Sequence, residues 1–123
     1  FDVNGYIALL KKLRSATAPI RIPIYDRTLH EPALGPTIDP AVRIIITEGN
    51  YLLLDQPPWS QLADVLDSCW LINTPLEQAR QWTIDRHIKG GRDPVDAQQH
   101  YERTDLPNAM LVQQQMREAD KII

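Results

Sequence analysis

The sequence predicts an α/β fold, a partial parallel sheet flanked by helices, and three observations carry that expectation. Val42 to Thr47 (VRIIIT) is a β-branched, nearly unbroken apolar run, as expected of a parallel strand covered on both faces. Ser68 to Asn73 (SCWLIN) is a second run of buried-strand character. Between them Pro57 and Pro58 open a helix whose stripe is Leu62, Ala63 and Leu66, so the three segments form a strand–helix–strand unit with a right-handed crossover.

Before this unit, Asp2 can cap a first helix on which Val3, Tyr6, Ile7, Leu10 and Leu13 form one apolar face. Lys11, Lys12 and Arg14 crowd its last turn, where positive charge suits the helix dipole. Ile20 to Tyr25 alternates as a short strand, and Pro19 and Pro23 confine it to an edge or a strand end. Asp26 to Pro40, with Pro32, Gly35, Pro36 and Pro40, reads as a fixed surface loop with no helix of its own.

After the unit, a long helix is expected from about Leu76 to Lys89, stopped by Gly90-Gly91. Asp93-Pro94 restarts a helix through Glu102, and Leu106-Pro107 begins the last one, ending near Ala119. Lys121-Ile122-Ile123 resembles the opening of a strand, and the chain starts at Phe1 almost directly with a helix. A fragment of a longer protein is therefore expected, the alternative being a chain trimmed to its ordered part. No repeat or linker divides residues 1–123, which read as a single domain.

Bulk composition narrows the function. A hydrophobic share of 43% with 24% charged residues is that of a folded globular protein and argues against disorder. No apolar run reaches the roughly 18–20 residues that span a bilayer, and no signal-peptide pattern opens the chain, so no membrane partner is expected. With 13 basic and 16 acidic residues and a net charge of −3, a nucleic-acid partner is not expected either. The single cysteine, Cys69, cannot form an internal disulfide, which fits a reducing, cytoplasmic setting. Trp59, Trp70 and Trp82 read as packing residues, and such positions serve a homodimer interface as well as a core.

Ligands of open α/β sheets bind beyond the carboxyl ends of the strands. Tyr25-Asp26-Arg27, Glu48-Gly49-Asn50 and Asn73-Thr74 are the polar groups at those ends. A carboxylate directly after a buried strand, as Glu48 is, suits the water shell of Mg²⁺ in phosphoryl transfer, and Gly49 lets the backbone turn sharply. Strand-end position alone does not choose between this role and a carboxylate that caps the next turn. Asp26 and Arg27, with His30 and Glu31 nearby, suit a loop that binds hydroxyls and steadies phosphate charge. Without further context they read more simply as an exposed ion pair of little energetic weight.

Asp85 to Arg92 (DRHIKGGR) concentrates cations at a helix end beside two glycines. Arg86 and Lys89 are three apart and can face one ligand, whereas Arg80 and Arg86 lie on different sides of an ideal helix. Mobile cations that close over a nucleotide have this composition, but so does an ordinary helix C-terminus, which composition alone favours. His30, His87 and His100 make no recognisable zinc spacing, so metal binding through histidine is not expected. G-x-x-x-x-G-K-[S/T] occurs nowhere, nor does G-x-G-x-x-G or G-x-S-x-G.

Taken in order, FDVNGYIALLKKLR, IPIYDRTLHEP, IIITEGNYLLLDQPPW, and ARQWTIDRHIKGG with TDLPNAMLV downstream span nearly the whole chain. They resemble the uridine kinase, phosphoribulokinase and bacterial pantothenate kinase group of P-loop kinases, nearest the branch named as fructose-transport kinases. EGNYLLLD followed by PW is the most specific element of the likeness. The resemblance implies a P-loop NTPase-type sheet with a helical lid over about residues 80–104, and ATP-dependent phosphorylation of a nucleoside, sugar or pantothenate-like hydroxyl. It implies ATP and Mg²⁺ as cofactors and assigns Glu48 to the magnesium and phosphate site. Tyr25, Asp26, Arg27 and Asn50 would then lie near the acceptor, Arg86 would act in catalysis, and Arg80, Lys89 and Arg92 would belong to the lid. Asp105 and Asn108 match a family element to which the resemblance attaches no role.

The family's phosphate-binding lysine, its Ser/Thr ligand of Mg²⁺ and its acidic base would all precede Phe1. The 123-residue chain alone is therefore expected to be inactive. The competing expectation is a non-catalytic binding or regulatory module on the same scaffold, and a nucleotide hydrolase of similar fold is a third.

Overall fold

A computed structural model describes residues 2–26 and 31–123. The chain falls into two compact units, Phe1–Glu48 and Gly49–Ile123.

The first unit opens with α1 (Val3–Arg14). Asp2 caps it as expected, its Oδ1 accepting the Gly5 N–H at 2.9 Å. Lys11, Lys12 and Arg14 occupy its last turn, and Ile7 is its buried anchor. Strand β1 (Ile20–Asp26) follows and pairs antiparallel with β2 (Glu31–Ile38), from Ile20 opposite Ile38 to Asp26 opposite Glu31. The register shifts between Arg21 and Pro23, where proline offers no N–H to the ladder.

Strand β2 corrects the expectation that residues 26–40 form only a loop. Its prolines, Pro32 and Pro36, argued against a strand, but a two-stranded ribbon leaves each strand one free edge where a missing N–H costs little. Gly35 lets the two strands approach. A Cβ there would meet Ile24 Cγ2 and sit 2.7 Å from the Ile22 carbonyl oxygen. Gly35→Ala is expected to destabilise the chain by about 1–3 kcal/mol, read by urea denaturation.

The segment Val42–Thr47 overturns a larger expectation. Among the described residues it has no ladder partner and no regular secondary structure, and Ile44 and Ile46 are 78% and 91% exposed. β-Branched composition records a preference for pairing, but a strand also needs a partner edge, and no described residue supplies one. The segment is held at its ends. Asp39 Oδ1 accepts from the Ala41 N–H at 2.8 Å, and Thr47 Oγ1 lies 2.8 Å from the Tyr6 hydroxyl on α1.

In the second unit the helix expected after Pro57 and Pro58 is a short 3₁₀ helix, Trp59–Asp64. Leu62 on it is fully buried, and Leu53, Leu54, Val65 and Cys69 are buried as well. Leu62→Ala is expected to cost about 2–5 kcal/mol, measured by urea or thermal unfolding. Strand β3 (Trp70–Leu71) pairs in parallel with β4 (Lys121–Ile122), confirming strand character at the last residues. Backbone bonds continue this pairing from Asp120 N–H to Cys69 O at 2.9 Å and from Asn73 N–H to Ile123 O at 2.9 Å. The strand around β3 is half-buried, not fully buried as expected: Cys69 points inward, whereas Trp70 and Ile72 are 55% and 75% exposed.

Helix α2 spans Leu76–Lys89, as its periodicity and Gly90-Gly91 predict. Gly91 takes φ 94°, a left-handed conformation that ends the helix. Asp93 caps α3 (Pro94–His100), accepting from Val95 N–H at 2.9 Å. A single π-helical turn, Tyr101–Asp105, then joins α3 to α4 (Leu106–Gln115), where two separate helices were expected. Ile84, Ala97 and Tyr101 make the core between α2, α3 and the π-turn, with Leu106 against it. Helix α4 stops at Gln115, short of Ala119. Met116 turns extended and bridges Leu54, with Asp55 N–H bonded to Gln115 O at 2.8 Å. The architecture is thus a mixture of helix and sheet with a small parallel sheet flanked by helices, the predicted class. No helix among the described residues is long and apolar enough to cross a membrane.

Candidate functional site

The predicted site residues divide between the two units. In the first, Glu48 directly follows the Thr47–Tyr6 anchor, its side chain is exposed, and no described residue pairs with its carboxylate. Tyr25 stands 60% exposed near the end of β1, and Asp26 closes the β1–β2 ladder opposite Glu31. Arg27 and His30 lie outside the described residues.

In the second unit Asn50 is an exposed turn residue. Arg86 and Lys89 occupy the last turn of α2, and Arg92 follows the glycine pair with its N–H bonded to His87 O at 3.1 Å. The side chains of all three are exposed, and none is paired with a carboxylate among the described residues. The glycine stop therefore gathers three cations at one helix end, where the α2 dipole also favours positive charge.

Arg80 differs from them. It is half-buried, 3.6 Å from Glu77, and its guanidinium lies 5.8 Å from the Tyr101 ring centroid. Both partners hold it against the helix core, so its role is at least partly structural. A surface depression of about 280 Å³ lined by Gln99, Glu102 and Arg103 includes none of the predicted residues. Arg103 there already bonds the Gln99 side chain at 3.2 Å and its carbonyl at 3.3 Å.

The structure also assembles a group that sequence spacing missed. His87 Nε2 lies 2.9 Å from Asp105 Oδ2, tying α2 to the π-turn. The His100 ring stands edge-on to that of His87, with centroids 4.8 Å apart at 78°. Reading histidines in pairs along the chain could not find it, because the three residues come from α2, the end of α3 and the π-turn. Asp105 stands out in the TDLPNAMLV stretch, but the sequence names no partner for it.

The fold is shared with solved proteins described as kinases. Over the whole chain it matches the crystal structure of a Silicibacter protein described as a fructose transport system kinase, with a TM-score of 0.90 and 27% identity, covering 60% of that protein. It also matches YFH7 of Saccharomyces cerevisiae, described as a P-loop-containing kinase with a circular permutation, with a TM-score of 0.80 over 46% of that chain. At 22% identity this second likeness speaks to fold alone. No protein-family profile matches the chain. The ATP-dependent kinase-like protein notR′ of Aspergillus versicolor is 33% identical over 116 residues, 89% of this chain and 67% of the relative.

The chain belongs to the P-loop kinase-like family. This kinase-like chain spans between 46% and 67% of the lengths of the three proteins just described. Within the second unit, the three exposed cations without carboxylate partners among the described residues have the chemistry to meet an anion; within the first, the exposed Glu48 carboxylate has the chemistry to meet a hard cation. The glycine-lysine loop that cradles phosphates in such enzymes has no counterpart in the sequence.

Proposed function

We propose that the chain is the C-terminal portion of an ATP-dependent kinase that phosphorylates a hydroxyl of a nucleoside, sugar or pantothenate-like molecule. The observation that supports it most is the free cation group Arg86, Lys89 and Arg92 at the glycine-stopped end of α2, in a chain of kinase-like ancestry. In the reaction the acceptor oxygen bonds to the γ-phosphorus, the bond from that phosphorus to the bridging oxygen breaks, and ADP leaves. The acceptor proton passes to a base outside these residues. Magnesium, when bound with ATP, would supply charge neutralisation at the phosphate oxygens.

Each side chain has a distinct part in this reading. Glu48 would hold the metal through its water shell, accepting hydrogen bonds from those waters. Arg86 donates to the transferring phosphoryl oxygens, and Lys89 and Arg92 close over the nucleotide and exclude water. Arg80 holds the lid, about residues 80–104, in shape from its place beside Tyr101. Tyr25, Asp26, Arg27 and Asn50 bind the acceptor, the carboxylate and amide recognising hydroxyls. The site works in the cytoplasm on small molecules, with no nucleic acid or membrane partner.

A panel of nucleosides, sugars and pantothenate offered with ATP and Mg²⁺ to the full-length protein tests this reading. One acceptor class is expected to gain the mass of a phosphoryl group. Nucleotide binding with no phosphorylated product across the panel would favour a regulatory module instead. The isolated 123-residue chain is expected to turn over no ATP above background, as followed by ADP release.

A further inference from the structure

We propose that His87, His100 and Asp105 form a binding site for one divalent transition-metal ion of the zinc class. Each offers one ligand atom, these atoms all lie within 4.8 Å of one another, and all three residues are half-buried. The site is separate in chemistry from the magnesium of phosphoryl transfer. Two imidazoles and one carboxylate select zinc, cobalt or nickel, whereas Mg²⁺ and Ca²⁺ take oxygen ligands.

The backbone brings the ligands together in two ways. The glycine pair Gly90-Gly91 folds α3 back along α2, which places the end of α3 and the π-turn beside His87. The π-turn then aligns His100 with Asp105. In a regular α-helix two residues five apart point about 140° away from each other. A π-turn closes i to i+5, so positions five apart come onto one face, and turns of this kind recur at functional sites.

Local geometry agrees. Zinc–ligand bonds of about 2.0–2.2 Å set ligand–ligand edges near 3.3 Å in a tetrahedral site. His87 Nε2 and Asp105 Oδ2 stand at 2.9 Å, close to that scale, and the His100 ligand atom lies within 4.8 Å of both, so binding requires His100 to draw inward. The two rings are inclined at 78° and meet edge-on, which leaves ring nitrogens free to converge; stacked faces would point them apart. Three protein ligands leave a fourth position for water, in keeping with the partial exposure. In the rival arrangement His87 and Asp105 are only a hydrogen-bonded pair joining α2 to the π-turn, with His100 packed against them. The rival predicts no response to metal.

The chain is stripped with chelator and titrated with Co²⁺ by visible absorption and with Zn²⁺ by calorimetry. One equivalent is expected to bind, with the absorption of low-coordinate cobalt, and Zn²⁺ is expected to raise Tm. His100→Ala and Asp105→Asn each weaken binding by at least about tenfold and abolish the Tm rise. His30→Ala, at the remaining histidine of the chain, leaves both unchanged, and millimolar Mg²⁺ does not compete. Far-UV circular dichroism verifies each fold, and His100→Asn replaces His100→Ala if that variant unfolds. Absence of saturable binding, or binding undiminished in the folded His100 variant, overturns the proposal, as does loss of binding in His30→Ala.

Discussion

Glu48→Gln in the full-length protein is expected to lower kcat by about a hundredfold or more and to raise the Mg²⁺ concentration needed for half-maximal rate. The substitution keeps the shape of the side chain and removes its charge. A carboxylate that orients the water shell of a metal acts through that charge, whereas an amide cannot supply it. Stability is expected to hold, because Glu48 is exposed and no described residue depends on its carboxylate. The discriminating readout is therefore the pair of measurements, kcat against Mg²⁺ and Tm by thermal melt. Unchanged kinetics remove Glu48 from the site. A joint fall in Tm and kcat assigns it to structure, as the cap of the following turn.

Arg86→Ala is expected to have the second large effect, lowering kcat/KM by about 10³-fold, the lower range for an arginine that stabilises a transferring phosphoryl group. Arg86 sits in the last turn of α2 with its side chain exposed and no described carboxylate beside it, so Tm should not move. Arg86→Lys is expected to restore little, since an ammonium cannot offer two parallel N–H bonds to phosphate oxygens. Arg80 provides the contrast. Its guanidinium is engaged by Glu77 and by the Tyr101 ring, so Arg80→Ala should lower Tm measurably along with rate. If Arg80→Ala impairs kcat/KM more than Arg86→Ala while Tm holds, the assignment of the phosphoryl contact shifts about 1.7 turns back along α2.

The parts of this fold legible in the sequence are those whose signal is local. Asp2 before an apolar stripe, the cationic last turn of α1, and Gly90-Gly91 after α2 act through backbone groups a few residues away, and the helices fall where they predict. What could not be read depends on partners far along the chain. VRIIIT carries strand composition, but pairing is a property of two segments, and none of the described strands pairs with it. Strand β2 was concealed for the opposite reason: Pro32, Pro36 and Gly35 read as loop residues, and only the close approach of Ile22 and Ile24 to Gly35 explains the glycine as part of a sheet. The π-turn leaves no local mark, yet it sets the direction of Asp105.

The same division holds at the site. The cluster of cations at the end of α2 is a local feature and was legible, although the different standing of Arg80 emerges only from Tyr101, twenty-one residues on. The His87–His100–Asp105 group depends on a helical hairpin and a change of helical pitch, neither of which residue spacing reports.

Following labelled γ-phosphate from ATP in the presence of the accepted small molecule is the most direct check on phosphotransfer. Label is predicted to appear in the acceptor, in proportion to the ADP formed, and to fall together with ADP in Glu48→Gln. Label recovered as inorganic phosphate at a rate indifferent to acceptor would contradict the account and describe a hydrolase.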